Sequence, residues 1–146
     1  MTLALLQARY EDLLGVCDDL EAIADGLPGN VSHSICTRVA GEVISVLSQT
    51  HRIESEVLLP ILERSSRAEI RHLATRLRQE HDFDGQAAME VEEALLALGL
   101  GTSTLSADAL GYLLRSFFES VRRHVHSEQD LIFLLSDLPP SSESLH

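Results

Sequence analysis

Basic residues are scarce in this chain: eleven Lys plus Arg stand against twenty-three Asp plus Glu, a formal net charge of −12 over 146 residues. So acidic a surface repels phosphate backbones and anionic lipid, which argues against nucleic acid or a membrane as partner. Long apolar runs are missing too. None approaches the roughly 20 residues needed to span a bilayer, and the basic start of a signal peptide is not seen. Cys17 and Cys36 are the whole cysteine content, too few for a disulfide scaffold or a zinc–cysteine site. Without an export signal, both are expected to be reduced thiols in a cytoplasmic protein, packed as small hydrophobes. Aromatic residues make up only 4% of the chain, and period-two runs of β-branched and aromatic residues are absent, so strands are not expected. There is no Gly-rich phosphate loop, and neither Ser48 nor Ser55 sits in a nucleophile elbow, which sets that kind of hydrolase aside.

What is present is helix-forming sequence. Breakers cluster at Gly26-Leu27-Pro28-Gly29-Asn30, at Ser65-Ser66 and at Gly99-Leu100-Gly101-Thr102-Ser103, and long stretches rich in Leu, Ala, Glu and Arg lie between them. Ser106 is placed to cap the last helix and Thr2 the first. Pro60 conflicts with the pattern, since it should kink the second helix or end it early. The length fits one domain, and four helices joined by short turns predict an antiparallel up-down-up-down bundle over residues 1–138. The Pro/Ser-rich tail, 139–146, is expected to be disordered.

Spacings of three and four residues mark the inward stripe of each helix. The first carries Leu6, Tyr10, Leu13, Cys17 and Leu20. The second carries Ala40, Ile44, Leu47, His51, Glu54 and Leu58. The third runs through Leu77, His81, Asp84, Ala88 and Val91, and the fourth through Phe117, Val121, His124, Glu128 and Leu131. Three stripes are thus apolar except for one histidine followed by one carboxylate, and the remaining stripe carries Tyr10. These interruptions share a depth. His51 and His81 stand fifteen residues either side of the turn at residue 66, and His81 and His124 are about equally far from the turn near residue 102. Counting back from the first turn, the position opposite His51 is near Gln7, and Tyr10 is the nearest polar residue on that stripe.

Burying ionised carboxylates without a partner costs several kcal/mol each. Three at one depth with three imidazoles call for a shared counter-charge, which a metal ion supplies. Such donor sets suit non-haem iron, with manganese or zinc as alternatives. A metal-free network of His–carboxylate ion pairs is the competing reading. His33, His72, His126 and His146 fall off the stripes and are expected to face solvent, as are Arg76, Arg78, Arg122 and Arg123.

These residues resemble a family. His51-Arg-Ile-Glu54-Ser-Glu56-Val-Leu-Leu-Pro60 is similar to the second-helix motif of hemerythrin-like (HHE) domains. Glu80-His81 resembles that family's Glu-His pair, and His124-Val-His-Ser-Glu128 its fourth-helix motif, with the similarity running over residues 3–138. The resemblance implies a four-helix bundle around a non-haem centre of one or two iron ions, with dioxygen or nitric oxide as possible ligands. It also implies a role in oxygen, iron, redox or nitrosative-stress sensing. Carried over residue by residue, it gives His51, Glu54, His81, His124 and Glu128 as metal ligands, with Asp84 and Tyr10 as further candidates. The chain departs from the family in two places. The first-helix histidine is missing, with Tyr10 near its place, and the usual glutamate pair is split as Glu54-Ser55-Glu56. The missing histidine points away from reversible oxygen transport, and no enzyme activity beyond weak redox activity is expected. The alternative is a helical interaction or regulatory module whose metal site is degenerate.

Overall fold

The Leu- and Ala-rich stretches between the breaker clusters are helical throughout in the computed structural model, which describes residues 2–136. Helix α1 spans Thr2–Gly26, α2 His33–Ile53, α3 Leu59–Glu63, α4 Ala68–Leu100 and α5 Ala107–Ser136. Residues Glu54–Leu58 form a π-helical turn between α2 and α3, so these three pieces make one interrupted rod. The α2 rod packs on α1 and α4, and α5 packs on α1 and α4, while the backbones of the diagonal pairs stay apart. Four rods in a ring, linked in sequence by short turns, are the expected up-down-up-down bundle. No strand occurs among the described residues, and no helix is long and apolar enough to cross a membrane.

The helix ends follow from local chemistry. Ser106 Oγ accepts the Ala109 N–H at 3.1 Å, the expected cap of α5, and Ser32 Oγ caps α2 by accepting from Ile35 N at 3.4 Å. The expected cap at Thr2 rests on a side chain outside the described residues, as does the tail at 139–146. Gly101 closes α4 in the left-handed region, with φ 73°, where a side chain would be strained. At Gly99 a Cβ would come within 2.9 Å of Thr37 Oγ1 and 3.2 Å of the His33 carbonyl, so glycine lets the end of α4 close on the start of α2.

Pro60 neither ends the second rod nor leaves it regular. Proline lacks an N–H and its ring presses on the carbonyl four residues back. The π turn widens the backbone just ahead of it, with Leu59 N–H reaching back five residues to the Glu54 carbonyl. One extra residue is thereby absorbed, and Leu58, Leu59 and Leu62 are the residues that turn inward beyond it.

The buried face is broader than the predicted stripes. Leu6, Tyr10, Cys17, Leu20, Ala40 and Ala88 are fully buried as expected, but Val16, Val39, Val43, Phe118, Val125 and Ile132 join them. One of the arginines expected to face solvent does not: Arg122 is half-buried, bonds Asp18 at 2.7 Å and Glu21 at 2.9 Å and lies over the Phe118 ring, tying α5 to α1. Arg78 is exposed as expected and pairs with Glu63, joining α4 to α3.

Candidate metal centre

Each rod brings its polar interruption to one pocket inside the bundle. Tyr10, His51, Glu54, His81, Asp84, His124 and Glu128, the seven residues expected from the sequence, all line it. The shared depth counted from the turns is therefore real. Glu54, Asp84 and Glu128 are buried although ionisable, and Glu56, the other member of the split pair, is exposed. His33, His72 and His126 face solvent, while His146 lies outside the described residues.

The pocket has two halves. On one side the His51 and His81 rings stack with centroids 4.0 Å apart and planes within 15°. His81 Nε2 lies 2.7 Å from Glu54 Oε1, and the Tyr10 hydroxyl donates to Glu54 Oε2 at 2.6 Å. On the other side His124 Nδ1 lies 2.8 Å from Asp84 Oδ2, and His124 Nε2 is 3.5 Å from Glu80 Oε2. Glu128 lines the pocket between the halves, close enough to Glu54 and Glu80 for their charges to act on its carboxyl.

The electrostatics record a crowd of carboxylates. Burial, then the neighbouring Glu54 charge, pushes Glu128 up to about 11, so it carries a proton. Burial alone would raise Glu54 as well, but hydrogen bonds from His81, Glu128 and Tyr10 outweigh it and hold that carboxyl below its ordinary value. Burial and then the adjacent His81 lower His51 to about 4. Its imidazole is therefore neutral at physiological pH, the form that ligates metals. Tyr10 is driven upward, chiefly by burial and then by Glu54 and Glu128. His124 is raised because its hydrogen bond to Asp84 outweighs burial.

This donor set fits a cation. Ligand atoms of His51, Glu54 and His81 all lie within 4.8 Å of one another. Among the described residues no hydrogen bond engages a His51 ring nitrogen, leaving a neutral donor unspent beside a carboxylate held ionised. Asp84, His124 and Glu128 surround the same space without belonging to that tight trio.

Glu80 is the residue the sequence reading left out of the site. It is half-buried, lines the pocket and touches both His124 and Glu128. Its spacing was the available signal, since it precedes Asp84 by four residues and so shares that face of α4.

A family model described as the hemerythrin HHE cation binding domain matches residues 3–135. No curated protein and no solved structure matches the chain significantly. The matched span covers all four rods and every residue of the pocket, and the chain belongs to the hemerythrin HHE cation-binding family.

Proposed function

We propose that this protein binds non-haem iron, one or two ions, and serves in sensing oxygen, iron, redox state or nitrosative stress rather than in oxygen transport. The observation that carries this reading is the convergence of His51, Glu54 and His81 inside the bundle, with ligand atoms within 4.8 Å of one another. Those three would hold a first ion, and His124, Asp84 and Glu128, with Glu80 beside them, would hold a second. Bound iron supplies a redox couple and an affinity for dioxygen or nitric oxide. The chain's own part is to keep the His51 imidazole neutral, to hold Glu54 ionised and to enclose the donors in apolar walls. Four carboxylates against three histidines make an oxygen-rich set, harder than a histidine-dominated one, and this weighs against reversible oxygen carriage. Manganese and zinc suit the same donors. The role proposed is binding with a signalled outcome, without turnover beyond weak redox activity. It suits a reducing, cytoplasmic compartment, where the buried free thiols of Cys17 and Cys36 would persist.

A second reading, an interaction module with a degenerate site, has one observation in its favour. The contacts Tyr10–Glu54–His81 and Asp84–His124 satisfy much of the pocket with protein groups alone. Metal analysis of protein purified from iron-supplemented cells, with its absorption spectrum, decides between the two. One or two irons per chain are expected, and protein without stoichiometric metal would leave the second reading standing.

A further inference from the structure

Helix α1 brings no histidine and no carboxylate to the pocket. It contributes Tyr10 and Leu13, so every charged or imidazole donor comes from the other three rods. Tyr10 is 0% exposed, and its hydroxyl lies 2.6 Å from Glu54 Oε2. The other oxygen of that carboxylate, Oε1, lies 2.7 Å from His81 Nε2. Glu54 is thus held from two sides, with one oxygen facing α1 and the other facing α4. A glutamate has three side-chain torsions, and a fixed donor on one oxygen removes most of the freedom of the other. The 2.6 Å contact also requires a proton between two oxygens, because a phenolate and a carboxylate that close would repel.

Resting on the metal-binding reading, we infer that Tyr10 is a positioning residue: its protonated phenol anchors Glu54 Oε2, presents Oε1 to the cation beside His51 and His81, and does not itself ligate. The site then closes on three rods, and α1 acts on the metal only through one hydrogen bond.

The test compares wild type, Tyr10→Phe, Glu54→Ala and the double variant. Zinc affinity is read by chelator competition, and the ferric spectrum is recorded on wild type. Wild-type ferric protein should show no tyrosinate charge-transfer band. Tyr10→Phe should keep the metal stoichiometry while binding zinc roughly 10–100-fold more weakly, the usual effect of losing a group that orients a ligand. In the Glu54→Ala background the same change should alter affinity by less than about twofold, because a residue acting through Glu54 has nothing left to act on. A merely structural tyrosine would not show that dependence. A tyrosinate band in wild type makes Tyr10 a ligand and overturns the inference without recourse to any variant. Unchanged zinc affinity in Tyr10→Phe, or an equal loss with and without Glu54, overturns it as well. Wild type that binds neither zinc nor iron instead removes the metal-binding reading on which the inference rests.

Discussion

At the scale of single residues, orientation decides which histidines matter. His72 and His81 share α4, yet one is exposed and the other stacks on His51. His81→Ala should therefore weaken metal binding by more than the roughly 10–100-fold typical of orienting groups, while His72→Ala leaves metal content unchanged. Equal losses in the two variants, measured as metal per chain, would show that the pocket is not the binding site. Glu128 gives a second prediction, in pH. Its folded pKa is raised to about 11, so the folded state keeps a proton that the unfolded chain releases near its ordinary value of roughly 4.3. Stability from that proton is fully present below the unfolded value and is lost as pH rises toward the folded one, by at most about 1.4 kcal/mol per pH unit. The metal-free protein should thus melt lower at pH 9 than at pH 7. His124, also raised, acts with the same sign, so the comparison with Glu128→Gln isolates the carboxyl. That variant is neutral at every pH and should flatten the slope. If its slope matches wild type, Glu128 is not the buried proton.

At the scale of elements, the π turn and Pro60 explain each other. Glu54 is followed inward by Leu58, Leu59 and Leu62, at four, five and eight residues, whereas a regular helix turns inward at three, four, seven and eight, so the fifth position, Leu59, is the one out of phase. Deleting exposed Ser55 restores the regular spacing with the same inward residues. It also returns Pro60 to an ordinary helix interior, where it costs about 3 kcal/mol or more. The deletion alone should therefore lower stability by roughly that amount in urea unfolding, and adding Pro60→Ala should recover it. Failure of the second change to rescue the first would separate the turn from the proline. This device also marks where the sequence stops being legible. Turns, caps at Ser106 and the inward phase of Tyr10, His51, His81 and His124 follow from periodicity, because each uses local spacing on a regular helix. Pro60 announced a disturbance, but propensity alone does not distinguish a kink, a stop and a π turn, since the choice depends on which leucines the neighbouring rods can bury. Glu80 and Arg122 were missed for a related reason: each lies at a stripe's edge, and its partners, His124 and Glu128 in one case and Asp18 and Glu21 in the other, sit on another rod.

At the scale of the whole molecule, the pocket is a polar plug in an apolar bundle. Above and below it the core is apolar, with Leu6, Leu20, Leu62, Leu95 and Leu114 fully buried. At its level, four acidic side chains face three imidazoles, and the metal-free state balances them by leaving a proton on Glu128 and by using Tyr10 and His81 as donors to Glu54. A cation that displaces the proton on Glu128 and the one between His81 and Glu54 binds only where the folded bundle holds the donors together, so it binds the folded chain and not the unfolded one. Stability then rises with free metal as mass action requires, by about 2.7 kcal/mol at a hundredfold excess over Kd. For a domain near this size, each kcal/mol shifts Tm by roughly 2–4 °C, so loading with ferrous iron under anaerobic conditions should raise Tm by roughly 5–10 °C. A chelator should return it to the metal-free value. The shift should vanish in His81→Ala and persist in His72→Ala, which ties it to the pocket rather than to ions condensing on the acidic surface. Identical melting with iron and with chelator would mean that the internal hydrogen bonds already satisfy the plug, and the bundle would then be an interaction module built around a dry polar network.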